Sequence, residues 1–305
     1  MISSICVVLT TFNRLDKLKK ALICYSHQKL KPKYVIVVDN ASTDNTLDFL
    51  KIWQTKPEGF EKIIIHSKDN LGGSGGFYLG ERYFLKLDAD WVLVADDDAY
   101  LEEDYLLGMN KYIESHDTKN ISVLCGKVIQ NGTYLNKHRA RLRSKWIFDF
   151  DRPISQKLYD EPSFYPDFVS YVGILIQKSK LLQAGLVDKD FFIWRDDSEH
   201  SCRLRKYGKI VCIPQYTIVH DADEEHKGYS WKSYYGYRNG TVLFKRHYPL
   251  QFPFVIIVLL LKSLLCPLNG KTWIEVRLRL VAVKDGILGR LGKHPTYKSG
   301  WKPGD

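Results

Sequence analysis

The sequence predicts an α/β fold: a doubly wound, mixed but mostly parallel sheet with helices on both faces, followed by a basic helical tail. Three observations point there. Strand-like and helix-period segments alternate four times by residue 98, which is the signature of βαβ units. The strands are near-continuous apolar runs, as strands covered on both faces are. Past His220 the composition shifts to aromatic and basic, then to strongly apolar. We therefore expect one domain over 1–225 and a helical region over 226–305.

The elements follow in order. Ile5-Cys6-Val7-Val8-Leu9 is a buried strand, and Thr10-Thr11-Phe12-Asn13-Arg14 is a polar turn at its C-terminal end. No basic n-region or cleavage site precedes that strand, so no signal peptide is expected. Leu15, Leu18, Leu22 and Tyr25 have helical spacing. Tyr34 to Val38 form a second strand ending in Asp39-Asn40, and Ser42 or Asp44 suits the cap of the next helix. Lys62 to His66 make the third strand. Asn70-Leu71-Gly72-Gly73-Ser74-Gly75-Gly76 follows, then a helix with Phe77, Phe84 and Leu87 on one face. Trp91 to Ala95 is the fourth strand. A helix is expected over 102–115 and strands over 121–129, 168–177, 210–213 and 216–219.

The fourth strand ends in Asp96-Asp97-Asp98. Open α/β sheets place their ligand crevice at the C-terminal ends of strands. A strand has a period of two, so Asp96 and Asp98 point the same way while Asp97 looks elsewhere. Such a pair repels unless something positive sits between, so it either holds a hard cation or is a solvated acidic turn. Asp39 either receives a base or ribose or starts a turn. The glycine stretch either offers bare N–H groups to phosphate or is a flexible loop; it is neither G-x-G-x-x-G nor a P-loop. Asp196 and Ser198 suit helix capping, but a carboxylate beside Phe191, Phe192 and Trp194 also suits a base. His220 is either structural or a metal ligand.

Charge narrows the partners. The net charge is +10, from 45 Lys+Arg against 35 Asp+Glu. The acids gather at 88–104 and 188–199, and the bases at 137–145 and after 227. That fits a metal site with a membrane-facing end better than a nucleic-acid groove. Lys137, Arg139, Arg141, Arg143 and Lys145 read as a solvated basic loop or as a wall for an anionic acceptor. The six cysteines have no C-x-x-C spacing, which suits buried thiols in a reducing compartment. The apolar run 250–268 has two prolines at its start and a lysine inside, so an in-plane segment is expected over a span. Residues 271–293 suit a basic amphipathic helix on an anionic surface, or a helix packed on the domain or on a dimer partner.

Together, Val8-Leu9-Thr10-Thr11-Phe12-Asn13-Arg14, Val37-Val38-Asp39-Asn40-Ala41-Ser42-Thr43-Asp44, Asp96-Asp97-Asp98 and Trp194-Arg195-Asp196-Asp197-Ser198-Glu199 resemble the family 2 glycosyltransferases of the GT-A (Rossmann-like) fold. The glycine stretch with Phe77, and the Trp-x-Asp-Asp block, are most similar to the galactofuranosyltransferase branch, which shares its pattern with some rhamnosyltransferases. The resemblance implies a nucleotide-binding half near 1–100, an acceptor half near 101–225, and inverting transfer from a nucleotide-diphosphate sugar. UDP-galactofuranose is favoured over dTDP-rhamnose as donor, and a glycan or lipid-linked glycan is the acceptor. It also implies roles. Thr10, Phe12, Arg14, Asp39, Asn70, Gly72, Gly73 and Asp97 would hold the nucleotide sugar. Asp96, Asp98 and His220 would bind Mn²⁺ or Mg²⁺. Asp197 would be the base, with Trp194, Asp196 and Glu199 at the acceptor. Arg195 and His200 depart from the family pattern and bear on acceptor choice. The expected location is the cytoplasmic face of the plasma membrane, with peripheral contact.

Two other classes compete. A nucleotidyltransferase or Mg-dependent phosphatase would need a basic phosphate signature or an N-terminal Asp nucleophile, and the Thr10 region has neither. A catalytically dead glycan or nucleic-acid binder would not need Asp96, Asp98 and Asp197 intact. The residues themselves agree with transfer on one point: two acidic clusters occur, without a convincing Ser/His/Asp or Cys/His set.

Overall fold

The structure is a computed structural model that describes residues 3–130, 132–134, 138–223, 229–265, 267 and 272–301. The first half alternates as the sequence predicts: β1 Ile5–Thr11, α1 Leu15–Ser26, β2 Tyr34–Asp39, α2 Thr46–Thr55, β3 Glu61–His66, α3 Gly72–Phe84 and β4 Trp91–Asp96. Next come β5 Ala99–Leu101, α4 Tyr105–Ser115, β6 Ile121–Gln130, β7 Thr133–Tyr134, β8 Arg139–Leu142, β9 Asp151–Pro153, β10 Phe168–Val169 and β11 Ile174–Gln177. The chain continues with α5 Lys178–Ala184, α6 Asp196–Leu204, β12 Lys209–His220, α7 Trp231–His247, α8 Phe252–Leu264 and α9 Trp273–Leu288.

The main sheet runs in the order β3-β2-β1-β4-β11-β6-β12-β5, with β7 beside β6. The pairs among β1, β2, β3 and β4 are parallel, as is β6 with β12. β11 is antiparallel to both its neighbours, and β5 is antiparallel to β12. The sheet is thus mixed and mostly parallel. Alternate residues of one strand supply two cores. Ile5, Val7 and Leu9 pack with Leu18, Leu22 and Tyr25 of α1 and with Tyr105 and Met109 of α4. Cys6 and Val8 face the other way, toward Phe77 and Phe84 of α3 and Leu181 of α5.

Four expectations about elements change. The segment 168–177 divides between two sheets: β10 joins β8 and β9 in a small sheet, and β11 enters the main one. The two strands expected over 210–219 are one strand, β12, with a register shift between Cys212 and Thr217. β5 precedes the helix expected at 102. The glycine stretch is not a loop, because α3 begins at Gly72. Gly76 and Gly80 share one helix face, and that face lies on β1. A Cβ on Gly76 would stand 2.4 Å from Thr10 Oγ1, and one on Gly80 would stand 2.2 Å from Val8 Cγ1.

The basic stretch also differs from expectation. Arg139 is 0% exposed, and its guanidinium donates to the carbonyls of Gly126, His138 and Val172. It ties β8 to the sheet, so it is neither solvated nor an acceptor wall. Arg143 and Lys145 are exposed, and Lys137 lies outside the described residues. In the tail, α9 packs along α7 so closely that a Cβ on Gly286 would stand 2.7 Å from Arg238 O. The helix expected over 271–293 is therefore packed on protein along one side, with Trp273 and Ile274 left exposed. No helix among the described residues is long and apolar enough to cross a membrane. The five described cysteines are free thiols, and Cys266 lies outside the described residues.

Candidate active site

The sheet register assembles the acidic centre. Thr10 sits opposite Asp96 across β1 and β4, so the polar turn after β1 borders the acids. β6 and β12 run parallel and end level, with His220 opposite Gln130. β12 also carries β5, pairing His220 with Ala99, so the chain just after Asp98 is fixed against His220. Asp96, Asp98 and His220 therefore converge, with one ligand atom from each lying within 4.8 Å of the others. The predicted trio is brought together by strands distant in sequence.

The electrostatics of this centre are lopsided. Asp96 is pushed well above the usual carboxylate range by burial and by Asp98 and Asp97 beside it. Burial also works to raise Asp98, but His220 and the Arg14 guanidinium outweigh it and hold Asp98 at about 2. Asp98 Oδ1 is buried without a hydrogen bond, while His220 Nε2 lies 3.2 Å away. Two oxygen donors, one imidazole and an unsatisfied carboxylate oxygen suit a divalent cation of the Mn²⁺ or Mg²⁺ type. Among the described residues, no other such group of three appears.

Asp97 lies in the turn that follows β4. It is 2% exposed, accepts from Thr11 Oγ1 at 2.7 Å, and pairs with Arg14 at 2.9 Å. Burial pushes it up to about 6, with Arg14 and Thr11 opposing. Arg14 also reaches Asp98 at 2.5 Å, and Lys17 lies 3.9 Å from the same carboxylate. The structure thus uses Arg14 as a counter-ion to Asp97 and Asp98. Phe12 is exposed beside this turn.

The residues at the end of β2 are internal. Asp39 is 0% exposed; its Oδ1 accepts from Ser42 N at 3.0 Å, and its Oδ2 faces His66 Nδ1 at 2.8 Å. Asn40 bonds Leu71 N and Gly72 O, tying the end of β2 to the start of α3. Asn70 Oδ1 accepts from Gly72 N at 2.8 Å. Gly72 sits at φ +74°, and a Cβ there would stand 2.0 Å from Phe192 O. The glycine stretch therefore meets the segment before α6 by direct backbone approach.

That segment is strained. Phe192, Trp194 and Arg195 all have φ between 66° and 68°, a region non-glycine residues rarely occupy. α7 holds it there. Asn239 Nδ2 donates toward the carbonyls of Phe191, Ile193 and Trp194, and Arg238 donates to Asp190 O and Phe191 O. The result is a half-exposed Trp194 lying over Gly236, followed by Asp196 and Asp197 in the first turn of α6. Asp197 is pushed up to about 7 by burial and by Asp196, against the Ser198 amide that donates to it at 2.5 Å. Asp196 in turn contributes to raising Asp96, so the two acidic clusters feel one another.

Other residues of the block face inward. Glu199, read as an acceptor contact, is 2% exposed. Arg203 and His247 bind it at 2.8 and 3.0 Å and, against burial, hold it at about 2. It joins α6 to α7 instead of facing the acceptor side. His200 is 0% exposed, bonded to Gly185 O and Tyr171, and burial pushes it down to about 3. Arg195 reaches Asp151 at 3.4 Å and covers the Phe150 ring. Sequence reasoning saw Arg238 and Asn239 only as parts of an aromatic-basic helix. It did not mark Gln130, which accepts from His220 Nδ1.

A mixed sheet with acids and a histidine at its strand ends, faced by an acidic helix start, is the architecture of the GT-A fold. Residues 6–171, more than half of the chain, match Glycosyl transferase family 2, and the chain belongs to that family. Galactofuranosyltransferase GlfT1 of Mycobacterium tuberculosis is 28% identical over 220 residues, 68% of this chain and 66% of that protein's own length. The dTDP-rhamnosyl transferase RfbF of Shigella flexneri is 24% identical over 96% of this chain and 98% of its own. Among solved structures, S. aureus TarS 1-349 in complex with UDP superposes with a TM-score of 0.59 at 17% identity, covering 94% of this chain and 81% of that one. GalNAc-T7 with UDP, GalNAc and Mn²⁺ gives 0.62 at 13% identity over 80% of this chain and 48% of that one.

Proposed function

We propose that this glycosyltransferase is inverting and moves galactofuranose from UDP-galactofuranose to a hydroxyl of a cell-surface or lipid-linked glycan. The observation that carries the chemistry is the convergence of Asp96, Asp98 and His220 on one point. A divalent cation bound there would neutralise the departing nucleotide diphosphate. The chain's own residues do the rest. Thr10, Phe12 and the start of α3 border the nucleotide, and Asp39 and Asn40 shape its base end from beneath. Asp97 keeps Arg14 beside the acids. Trp194 offers a face to an acceptor sugar, and Asp196 offers a hydroxyl partner. Asp197 takes the proton of the attacking acceptor hydroxyl.

The sugar rests on the relatives. Besides the match above, galactofuranosyltransferase GlfT1 of Mycolicibacterium smegmatis is 39% identical over 94 residues, 31% of this chain and 30% of that protein. One observation favours a second reading, transfer of rhamnose from dTDP-rhamnose: the match to RfbF runs nearly the full length of both chains. Incubation with each donor and Mn²⁺, with nucleotide diphosphate release as readout, decides. Faster UDP release from UDP-galactofuranose supports the first reading. Faster dTDP release from dTDP-rhamnose overturns it in favour of the second. Release that survives EDTA removes the metal.

Location belongs to the same proposal: peripheral binding to the cytoplasmic face of the plasma membrane. Phe254, Ile257, Leu261 and Leu264 form an exposed apolar stripe on α8 beside exposed Leu250, Trp146 and Trp273. Lys145, next to Trp146 in the chain, Lys262 on α8 itself and Arg277 on α9 are exposed as well. At about 1.5 Å per residue α8 covers about 20 Å, short of the roughly 30 Å hydrocarbon layer. An exposed apolar stripe in a tail that also exposes basic side chains suits an anionic bilayer surface.

A further inference from the structure

Among the ligands of the acidic centre, His220 must present a bare nitrogen to a cation, and a neutral imidazole has only one. Which nitrogen that is depends on what the other bonds. Gln130 ends β6 directly opposite His220, at 7% exposure, and its Oε1 lies 3.2 Å from His220 Nδ1. The same Oε1 lies 2.9 Å from His138 Nε2, and His138 Nδ1 lies 2.8 Å from Ser170 Oγ. The His138 and His220 rings meet edge to face at 5.1 Å.

With the amide oxygen toward both rings, one proton arrangement satisfies this chain throughout. Ser170 Oγ–H donates to His138 Nδ1, and His138 Nε2–H donates to Gln130 Oε1. His220 Nδ1–H donates to the second lone pair of that oxygen. His220 Nε2 is then the atom left facing Asp98 Oδ1, 3.2 Å away. The reversed amide would donate to His220 Nδ1 and drive the ring proton onto Nε2, closing it to a cation.

We propose that Gln130, braced by His138 and Ser170, is a positioning residue that holds His220 in its Nδ1–H tautomer so that Nε2 faces the metal. This rests on the metal reading above. The two partners of Oε1 explain why a buried amide ends β6: it accepts twice, and neither imidazole can rotate without losing a bond.

The test uses the full chain, manganese chloride alone and no sugar donor. Free Mn²⁺ is counted by electron paramagnetic resonance. Gln130→Leu should weaken binding about 10- to 100-fold, the usual effect of removing such a partner. Gln130→Glu, which keeps an acceptor, should stay within about threefold of the native chain. The two-bond ¹H–¹⁵N histidine spectrum of the metal-free native protein at about pH 8, where an ordinary imidazole is neutral, should show His220 protonated at Nδ1. Native affinity in Gln130→Leu, or an Nε2–H signal for His220, overturns the positioning role. If Gln130→Leu does not fold, the glutamate variant and the native spectrum still decide. Asp98→Ala and His220→Ala separate the two ideas. Unchanged Mn²⁺ binding in both overturns the metal reading and the proposal with it. Impaired binding in both, with native binding in Gln130→Leu, overturns the positioning role alone.

Discussion

At the residue scale, Asp197 carries the sharpest expectation. Burial and Asp196 push its carboxyl up to about 7, so near neutral pH it is poised between acid and base. A base works only when deprotonated. A group with a raised value gains that form as pH rises, so kcat/KM should climb through about pH 7 and level off above it. A profile flat between about pH 5 and 8 would separate Asp197 from the rate. Asp197→Asn keeps the shape and removes the proton acceptor, and should lower kcat by about 10²- to 10⁴-fold while leaving Mn²⁺ binding unchanged. Glu199 behaves oppositely. Held at about 2 by His247 and Arg203 against burial, it stabilises the fold above the ordinary carboxylate range, and that stability is lost as pH falls toward about 2. Denaturant unfolding at about pH 7 should show Glu199→Gln to be less stable than the native chain, and the difference should shrink on acidification.

At the scale of elements, α3 reaches the site through its own backbone, and α7 through side chains that bond the backbone of the 190–194 segment. The glycine face of α3 lets it sit on β1, where Gly80 has no room for a side chain beside Val8. Gly80→Val should cost about 1–3 kcal/mol in chemical denaturation, through overpacking. Unchanged stability would mean that α3 can lift off β1 freely. These glycines were legible as a cluster but not as a face, because the partner strand lies some seventy residues upstream. Arg139 was hidden as well, since one of its partners, Val172, lies 33 residues on. In sequence it stands in a basic run, and only the fold shows it under three carbonyls. By contrast, β1 to β4 and the Asp96/Asp98 pair were legible, because strand pattern and strand ends are local signals, whereas His220 was assigned to the pair through the family resemblance. The positive φ angles at Phe192, Trp194 and Arg195 had no such signal, since none of the three is glycine.

At the scale of the whole molecule, the sheet gathers Asp96, Asp98 and His220, while the C-terminal helices hold the 191–194 backbone and carry the apolar stripe. Substituting Ile257 and Leu261 by Glu replaces exposed apolar side chains with charges at the centre of that stripe. Flotation with anionic vesicles should fall markedly for Ile257→Glu/Leu261→Glu, while nucleotide diphosphate release with a soluble acceptor stays near native. Equal flotation would refute this face as the membrane contact. The apolar character of 250–268 was visible from composition; which residues of it remain uncovered was not, because Val255, Ile256 and Leu259 are buried against neighbouring elements.

The grip of Asn239 on three carbonyls of the 191–194 backbone has a practical consequence for building hybrids. A graft that carries the Trp-Arg-Asp-Asp segment from this chain into a relative, to transplant its choice of acceptor, would arrive without the side chain that keeps it in shape. The portable unit is that segment plus the helix around Asn239, and swaps should be cut so that both travel as one piece.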